Sequence, residues 1–390
     1  MSYQVPLEDL LAAYYRCRKS KRGTINALDF EYNYESNLIK LQEELNDGSY
    51  IPGRSIAFIS NKPVKREIFA ADFRDRVVQH LVMDQLEETL ENQFIYDSYA
   101  CRKGKGALFG IKRLDKFIRK CSLNYSQNAY VLKLDIQGFF MHINKDILMG
   151  QLRPLVDEKL GGGDYREFII DLLEKMIYSD PTQGCIIKGR YGDWQGLPRN
   201  KSLFYSSPRC GLPIGNLNSQ VLANLYLNEL DQYIKHDLRL KYYGRYVDDF
   251  VIVHQDKDYL LSLIPQINQF LAEELGLKLH PNKTYLQHYS HGVPFLGAVI
   301  KPNRLYIGNR AKGNLYSLTI KHSEPEFSFD DDSLQDFISS ANSYLGLFKH
   351  FNTYELRQKM TKQLLTKHKR RLYVDKDITK FIKKNKKKKK

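Results

Sequence analysis

The chain has 390 residues, of which 42% are hydrophobic, and it carries a formal net charge of +15. This hydrophobic fraction excludes an intrinsically disordered protein, and the length predicts two or three structural units. The absence of any run of 18 apolar residues excludes a transmembrane helix, and the positive charge favours nucleic acid as the partner.

The five cysteines are scattered and form no CxxC pair, and the segment 1–23 has acidic residues early and no long apolar run. These features predict reduced thiols, no zinc site and no secretory signal. We therefore expect a cytoplasmic protein with no membrane partner.

Hydrophobic periodicity and turn residues predict the secondary structure. In chain order, the predicted elements are helices over 1–50, a β-like segment over 51–64, a helix over 66–90, a basic loop over 98–107, a strand-like run over 129–143, helices over 146–177, a loop-rich segment over 180–210, a turn over 211–215, a helix through Tyr233, a strand pair over 244–254, a helix over 257–275, two short strands within 276–300, and helices alone after about residue 310. The last eight residues, KKNKKKKK, are expected to be disordered.

The stretch GRYVDDFVIVH, residues 244–254, places two adjacent carboxylates between strand-forming residues. This symmetry predicts a β-hairpin with Asp248 and Asp249 at its turn. Asp-Asp is an unfavourable two-residue turn and adjacent carboxylates repel, so a bound cation would compensate both penalties. Oxygen ligands without a nearby His or Cys favour Mg²⁺, with Mn²⁺ as the alternative. Taken alone, the pair also fits an ordinary surface turn.

A third acid, Asp135, lies within VLKLDIQGFF, a run otherwise suited to a buried strand. An unpaired charge there is costly unless it meets a partner or a metal ion. If this strand lies beside the hairpin, three carboxylates converge. Such a cluster could hold two metal ions about 4 Å apart, which is the arrangement that binds the attacking and leaving oxygens in phosphoryl transfer.

These motifs, in this order, resemble those of reverse transcriptases. LDIQGFF and YVDDF, with a glycine turn and a helix between them, resemble the palm motifs, and REIFAADFRDRVVQHLV and YACRKGKGA resemble the fingers motifs. HPNKT resembles the palm lysine motif, and VPFLGAVI resembles the primer-grip region. The resemblance covers roughly residues 50–300. It implies an α+β right-hand polymerase fold with fingers, a palm built on an antiparallel sheet packed against helices, and a helical thumb.

The resemblance also implies domain boundaries. These are an N-terminal extension and fingers over 1–130, a first palm segment over 131–150, a fingers and palm insertion over 151–210, the remaining palm over 211–305, a helical thumb over 306–382, and a disordered lysine tail over 383–390.

The resemblance implies catalytic roles for the matching residues. Asp135 and Asp248 would be direct ligands of two Mg²⁺ ions. The Ile136 carbonyl would assist them, and Asp249 would be a weaker ligand or would tune the electrostatics. Lys283 would protonate the departing pyrophosphate, although an ordinary exposed lysine fits the same position.

The resemblance further implies substrate contacts. Arg66 would bind the triphosphate through its guanidinium group, and Phe140 would occupy the space of a ribonucleotide 2′-hydroxyl. Ile214 would line the nascent base pair, with Gly215 and Gln220 in the same motif. Ordinary structural roles also fit: a surface-helix arginine, a core aromatic residue, and an isoleucine packed beneath the palm.

The stretch GLPIGNLNSQ resembles the corresponding motif of the reverse transcriptases of diversity-generating retroelements, because Ile214 replaces the usual Gln and Gln220 replaces the usual Pro. WQGLPRNKSL, residues 194–203, is also similar to a segment of that subfamily. The resemblance implies error-prone copying opposite template adenine, mutagenic retrohoming that diversifies a target gene, and a small basic helical-bundle accessory variability protein. Replacing an amide with an alkyl group removes a hydrogen bond that could enforce template geometry.

Template RNA, a cDNA or primer strand and dNTPs are the implied partners, in a bacterial, archaeal or phage-encoded setting. Two other interpretations stay open. One is a phage-defence or group II intron-like reverse transcriptase. The other is a nucleic-acid-binding scaffold that has the fold without catalysis.

Overall fold

The computed structural model describes residues 3–19, 23–61, 64–324 and 326–384. Its helices are α1 (Leu7–Arg18), α2 (Ile25–Tyr32), α3 (Tyr34–Asp47), α4 (Phe73–Gln93), α5 (Ala107–Cys121), α6 (Phe139–His142), α7 (Lys145–Leu160), α8 (Asp164–Tyr178), α9 (Leu217–Tyr226), α10 (Asn228–Gln232), α11 (Lys257–Leu275), α12 (Asn309–Lys321), α13 (Asp331–Phe348) and α14 (Tyr354–His368). Its strands are β1 (Ile56–Ser60), β2 (Arg66–Ala70), β3 (Tyr130–Asp135), β4 (Ile186–Ile187), β5 (Tyr243–Tyr246), β6 (Asp249–His254), β7 (Tyr285–His288), β8 (Val293–Phe295), β9 (Ala298–Lys301), β10 (Arg304–Ile307), β11 (Leu372–Val374) and β12 (Phe381–Lys383). None of the helices in these ranges has the length and hydropathy needed to cross a membrane.

The chain forms two compact units. The first consists of Met1–Gly110 and Leu132–Tyr285, and the second of Ile111–Val131 and Leu286–Lys390. Helices and sheets occur in both units, so the predicted α+β class is confirmed. The units divide the chain differently from the boundaries expected for fingers, palm and thumb, which stay predictions.

The strands that flank the predicted acids lie side by side. β5 and β6 form an antiparallel hairpin in which Tyr246 pairs with Asp249, and β3 is the neighbour of β6 on its other side. Residues 250–253 are all buried, which explains why this strand is a continuous apolar run. The predicted hairpin and the strand beside it are therefore confirmed, but the prediction that Asp248 and Asp249 form the turn is wrong by one residue, because Asp249 already pairs with Tyr246 as the first residue of β6.

A second sheet of the first unit has the strand order β2–β1–β4. The prediction of a helix over 66–90 is wrong at its start, because Arg66 is the first residue of strand β2. Along β2 buried residues alternate with more exposed ones, and α4 begins only after Asp72, which caps the helix by accepting a hydrogen bond from the Arg74 amide at 3.0 Å. The short period-two pattern was hidden by the longer helical pattern that follows it.

Helix α4 packs against α1, α2, α7, α8 and α9 and forms the centre of the first unit. Its first turn contains Asp75, which is buried. The Asp75 carboxylate accepts hydrogen bonds from the Tyr50 hydroxyl at 3.0 Å and from the Gly53 amide at 2.8 Å. These bonds fix the chain that leads into β1.

The second unit contains the antiparallel meander β8–β9–β10, the helices α12, α13 and α14, and the hairpin β11–β12. The prediction of helices alone after residue 310 is wrong here, because residues 372–374 and 381–383 form strands. The turn between them is held by Asp375, which accepts hydrogen bonds from the Thr379 and Lys380 amides. Phe381 is buried and packs against Phe337, a long-range contact that local periodicity does not reveal.

The expected disorder of residues 383–390 is also corrected in part. Lys383 belongs to β12, and the Lys384 amide donates a hydrogen bond to the Arg371 carbonyl at 2.8 Å. Residues 385–390 lie outside the described residues. Two further strands are shorter than predicted. The strand predicted within 129–143 ends at Asp135, and in the segment around residues 276–288 only Tyr285–His288 is a strand.

Candidate active site

Of the predicted pair of aspartates, Asp248 lies in the turn of the β5–β6 hairpin and Asp249 is the first residue of β6. Tyr246 and Asp249 are the last paired residues, so Val247 and Asp248 form the two-residue turn. The backbone of Val247 has φ of +56°, a conformation that favours glycine and costs a β-branched residue on the order of 1–3 kcal/mol. The surrounding structure must therefore hold this turn, and with it the position of Asp248.

Asp135 is the last residue of β3, and its carboxylate is bound by the predicted lysine. The Lys283 Nζ donates to both Asp135 carboxylate oxygens at 2.9 Å. The His280 amide donates to the Asp135 carbonyl at 2.8 Å, and Ile136 forms an antiparallel bridge with Leu279. The loop that contains Lys283 is thus fastened to the end of β3.

The carboxylates influence one another. Burial raises the pKa of Asp248 to about 6, and the negative charges of Asp135 and Asp249 add to the rise. Burial also raises the pKa of Asp249, and the positive charges of Lys133 and Lys283 oppose that rise. The structure therefore brings Asp135, Asp248, Asp249 and Lys283 together, although they lie in three separate stretches of sequence.

This donor set suits a hard divalent cation, because Mg²⁺ and Mn²⁺ prefer carboxylate and carbonyl oxygens. Burial and nearby negative charge raise the pKa values of Asp248 and Asp249 and so disfavour their ionised forms. A bound cation would stabilise both ionised carboxylates. Asp135, Asp248, Asp249 and the Ile136 carbonyl are the groups that would hold such an ion. In the described part of the chain, no group of three or more His, Cys, Asp or Glu side chains already has the arrangement of a metal site, and Asp135 is paired with Lys283.

Two of the predicted substrate-binding residues share one apolar cluster. Phe140 and Ile214 both pack against a core that consists of Ala57, Phe69, Met141 and Leu203. Phe140 is partly buried and makes an edge contact with Phe139, with ring centroids 5.4 Å apart. The structure places the two side chains against the same apolar cluster, and their contact with substrate stays a prediction.

Gly215 lies where the turn before α9 approaches β2. It has φ of +132°, and a Cβ atom at this position would lie 2.8 Å from Ile68 Cγ2 and 3.0 Å from the Phe69 carbonyl oxygen. The Phe69 amide donates to the Ile214 carbonyl at 2.9 Å. Only glycine fits here, and this close backbone contact sets the position of Ile214.

The remaining predicted residues occupy different surroundings. Arg66 is exposed on β2, and its positive charge opposes the rise that burial causes in the pKa of Tyr246. It therefore lies near the β5–β6 hairpin, and its role as a triphosphate ligand stays a prediction. The Gln220 side chain is on α9 and accepts a hydrogen bond from the Cys101 thiol at 2.8 Å. The Gln220 role in substrate binding stays a prediction.

Three charged residues of this region were not among those predicted from the sequence. Glu67 is buried on β2 and accepts hydrogen bonds from the Ser202 hydroxyl at 2.9 Å and the Leu203 amide at 3.0 Å. Lys133 on β3 acts on Asp249 through its charge, and Arg245 on β5 is fully buried. All three are charged residues within strand-forming runs, which is the signal that could have revealed them.

A convergent set of carboxylates beside the strained turn of an antiparallel hairpin is typical of nucleotidyl-transfer sites. The sequence pattern of the family described as reverse transcriptase (RNA-dependent DNA polymerase) matches residues 61–300. The match covers more than half of the chain, and the chain belongs to this family. The expected right-hand polymerase fold agrees with this membership.

Several proteins are similar to the chain over most of its length. Group II intron-encoded protein LtrA of Lactococcus lactis subsp. cremoris is 22% identical over 69% of this chain and 50% of its own length. The putative COX1/OXI3 intron 2 protein of Saccharomyces cerevisiae is 22% identical over 75% of this chain and 38% of its own length. Protein YkfC of Escherichia coli is 24% identical over 66% of this chain and 69% of its own length. The chain thus spans half or less of the two intron proteins.

Solved structures of telomerase are also similar. Apo telomerase from Candida tropicalis has a TM-score of 0.48 and 14% identity, with 80% of this chain and 60% of that chain covered. Telomerase from Candida albicans in complex with a TWJ fragment of telomeric RNA has a TM-score of 0.47 and 11% identity, with 82% and 60% covered.

Proposed function

We propose that this protein is an RNA-directed DNA polymerase that extends a primer along a template RNA with dNTPs. The observation that carries this proposal is the meeting of Asp135, Asp248 and Asp249 with Lys283 in a chain of the reverse transcriptase family. The net charge of +15 suits an RNA template and a cDNA strand.

The proposed mechanism assigns a task to each group. Asp135 and Asp248 would hold two divalent cations with Asp249 and the Ile136 carbonyl, and these ions would stabilise the charge that develops on the phosphoryl group. The Lys283 ammonium group is a proton donor beside the carboxylates and would protonate the leaving pyrophosphate.

Two further residues would select the nucleotide. Arg66 is exposed beside the hairpin and would bind the triphosphate through several hydrogen bonds from its planar guanidinium group. Phe140 would exclude a 2′-hydroxyl group and so favour dNTPs over ribonucleotides. Both roles follow from the match to the family's motifs.

We further propose that copying is error-prone at template adenines and serves mutagenic retrohoming, with a small basic helical-bundle protein as an accessory partner. The motif GLPIGNLNSQ supports this subtype, because Ile214 presents an alkyl side chain where an amide could hydrogen-bond. Ile214 packs in the apolar cluster with Phe140, an environment that suits an alkyl side chain. The intron-encoded relatives instead favour an intron-type reverse transcriptase as the second candidate.

The test of polymerase activity uses the purified full chain with a DNA primer annealed to template RNA, Mg²⁺ and dNTPs. We expect extension by the wild-type protein and none by Asp248→Ala, with RNA affinity unchanged in a binding assay. Asp248→Asn is the matched variant, because it keeps the volume of the side chain and removes its charge. Extension by Asp248→Ala at the wild-type rate would contradict the proposal, and RNA binding without extension by the wild-type protein would favour an inactive scaffold.

A further inference from the structure

A fully enclosed ion pair lies beneath the catalytic hairpin. Arg245 on β5 and Asp231 on α10 both have 0% of their side chains exposed. Arg245 Nη2 donates to Asp231 Oδ2 at 2.6 Å, and Nε donates to Asp231 Oδ1 at 2.7 Å, which makes the contact bidentate. The Tyr243 hydroxyl adds a third hydrogen bond to Asp231 at 2.6 Å.

The remaining donors of the Arg245 guanidinium group point to backbone and amide oxygens. Nη1 donates to the Val247 carbonyl at 3.0 Å and to Asn224 Oδ1 at 3.3 Å. Nη2 also donates to the Asn224 carbonyl at 3.3 Å. Through these bonds one side chain joins α9 and α10 to the turn formed by Val247 and Asp248.

Stability alone does not account for such a pair. Burying two charges costs desolvation energy, and well-packed apolar residues often replace a buried ion pair without loss of stability. The Arg245 guanidinium group also donates to the carbonyl of Val247, which has φ of +56° in the turn. A β-branched side chain disfavours that conformation, so this hydrogen bond helps to hold the turn. A planar group with several fixed donors can hold that carbonyl while it stays bound to Asp231.

We infer that Arg245, anchored by Asp231, is a positioning residue for the polymerase reaction: it holds the Val247 carbonyl and so fixes the strained turn that presents Asp248 to Asp135. This inference rests on the proposed polymerase function. It adds that α9 and α10, through Arg245, set the geometry of the catalytic turn. Arg245 itself touches neither substrate nor the reacting atoms.

The decisive variant is the double change Arg245→Met with Asp231→Leu, which replaces the pair with apolar side chains of similar volume. We expect the melting temperature to stay near the wild-type value. We expect kcat for single-nucleotide addition to fall on the order of 100-fold while KM for dNTP stays unchanged, because a small misplacement of catalytic groups has an effect of this size. A wild-type kcat in this folded variant would overturn the inference.

Arg245→Lys is the second variant, in case the double variant does not fold. A lysine keeps the charge against Asp231 but cannot reach Asp231, Asn224 and Val247 together. We expect kcat to fall and KM to stay constant, whereas a loss confined to KM would overturn the inference. Tyr243→Phe is the matched control, because it removes one hydrogen bond to Asp231 and leaves the contact with Val247 intact. A kcat loss in Tyr243→Phe as large as that in Arg245→Lys would also overturn the inference.

Two measurements separate this inference from the proposed function. Hydrogen exchange of a peptide covering 243–254 reports the turn without any need for activity. We expect faster exchange in Arg245→Lys, and unchanged exchange would count against the inference even if the wild-type protein proved inactive. Val247→Gly removes the penalty of the positive φ, so we expect it to restore part of the kcat lost in Arg245→Lys. A failure of this second change to restore any activity would exclude the Val247 carbonyl as the point of action.

Discussion

Lys283 Nζ lies 2.9 Å from both carboxylate oxygens of Asp135, although 148 residues separate the two in sequence. The Asp135 side chain is 20% exposed and that of Lys283 is 46% exposed, so the pair is accessible to solvent. In this structure the lysine therefore neutralises Asp135, and its role as a proton donor stays a prediction.

Removing Lys283 tests its role as a proton donor. We expect Lys283→Ala to lower the rate of single-nucleotide addition on the order of 10²–10⁴-fold, the usual contribution of general acid catalysis. Rapid-quench measurements at saturating dNTP give this rate. Lys278→Ala is the control, because Lys278 is an exposed lysine of the same loop. Equal rates in the two variants would show that Lys283 is not the acid.

Ile214→Gln tests whether the alkyl side chain permits errors. The amide could hydrogen-bond to the nascent base pair or its template, and a bond of about 1 kcal/mol corresponds to roughly a fivefold change in selection. We therefore expect fewer misincorporations opposite template adenine, measured by sequencing the cDNA. Ile214→Val is the control, because it keeps the site apolar. An unchanged adenine error rate would remove Ile214 from the mechanism.

Gly244→Ala tests the packing behind the hairpin. A Cβ atom at this position would lie 2.1 Å from the Tyr99 hydroxyl oxygen and 2.7 Å from Cζ of the same ring, and Tyr99 is fully buried and cannot move aside freely. We expect a loss of about 1–3 kcal/mol in the free energy of unfolding, measured by chemical denaturation.

The control for this packing test is Gly150→Ala in α7. A Cβ atom there meets no atom within 4 Å. Because alanine is the better helix former, we expect this variant to gain about 0.5–1 kcal/mol. If both alanine variants were equally stable, the proposed clash with Tyr99 would be wrong.

Asp75→Asn tests a pH dependence of stability. Burial raises the pKa of Asp75 from 3.8 to about 6 in the folded protein. The folded state therefore binds the proton more tightly than the unfolded state. The resulting stabilisation is complete below pH 3.8 and is lost as the pH rises through 6.

Asparagine does not titrate, so the difference in unfolding free energy between the wild-type protein and Asp75→Asn isolates this carboxyl group. We expect the wild-type protein to lose on the order of 3 kcal/mol relative to the variant between acidic and neutral pH. Denaturation curves at several pH values measure it. A difference that stays constant with pH would contradict the assigned pKa.

Much of the fold could be read from local patterns. The helix predicted over 257–275 is α11, Lys257–Leu275, because its apolar period is regular and Asp256 caps its start. The hairpin around Asp248 was predicted from two flanking apolar runs. Strand β2 was missed because five alternating residues are too few to stand out beside the 21-residue helix α4. The hairpin β11–β12 was missed because the burial of Phe381 involves a contact with the distant Phe337, which local periodicity does not reveal.

Local sequence was enough to predict where carboxylates lie, which runs favour strands and which family the motifs resemble. These properties depend on residue type and on neighbours a few positions away. Three contacts became visible only in the folded chain: Lys283 binds Asp135, Arg245 is buried against Asp231 beneath the turn, and Tyr99 leaves no room for a side chain at Gly244. Such contacts join residues far apart in the chain, and burial and packing, which no local pattern encodes, select among them.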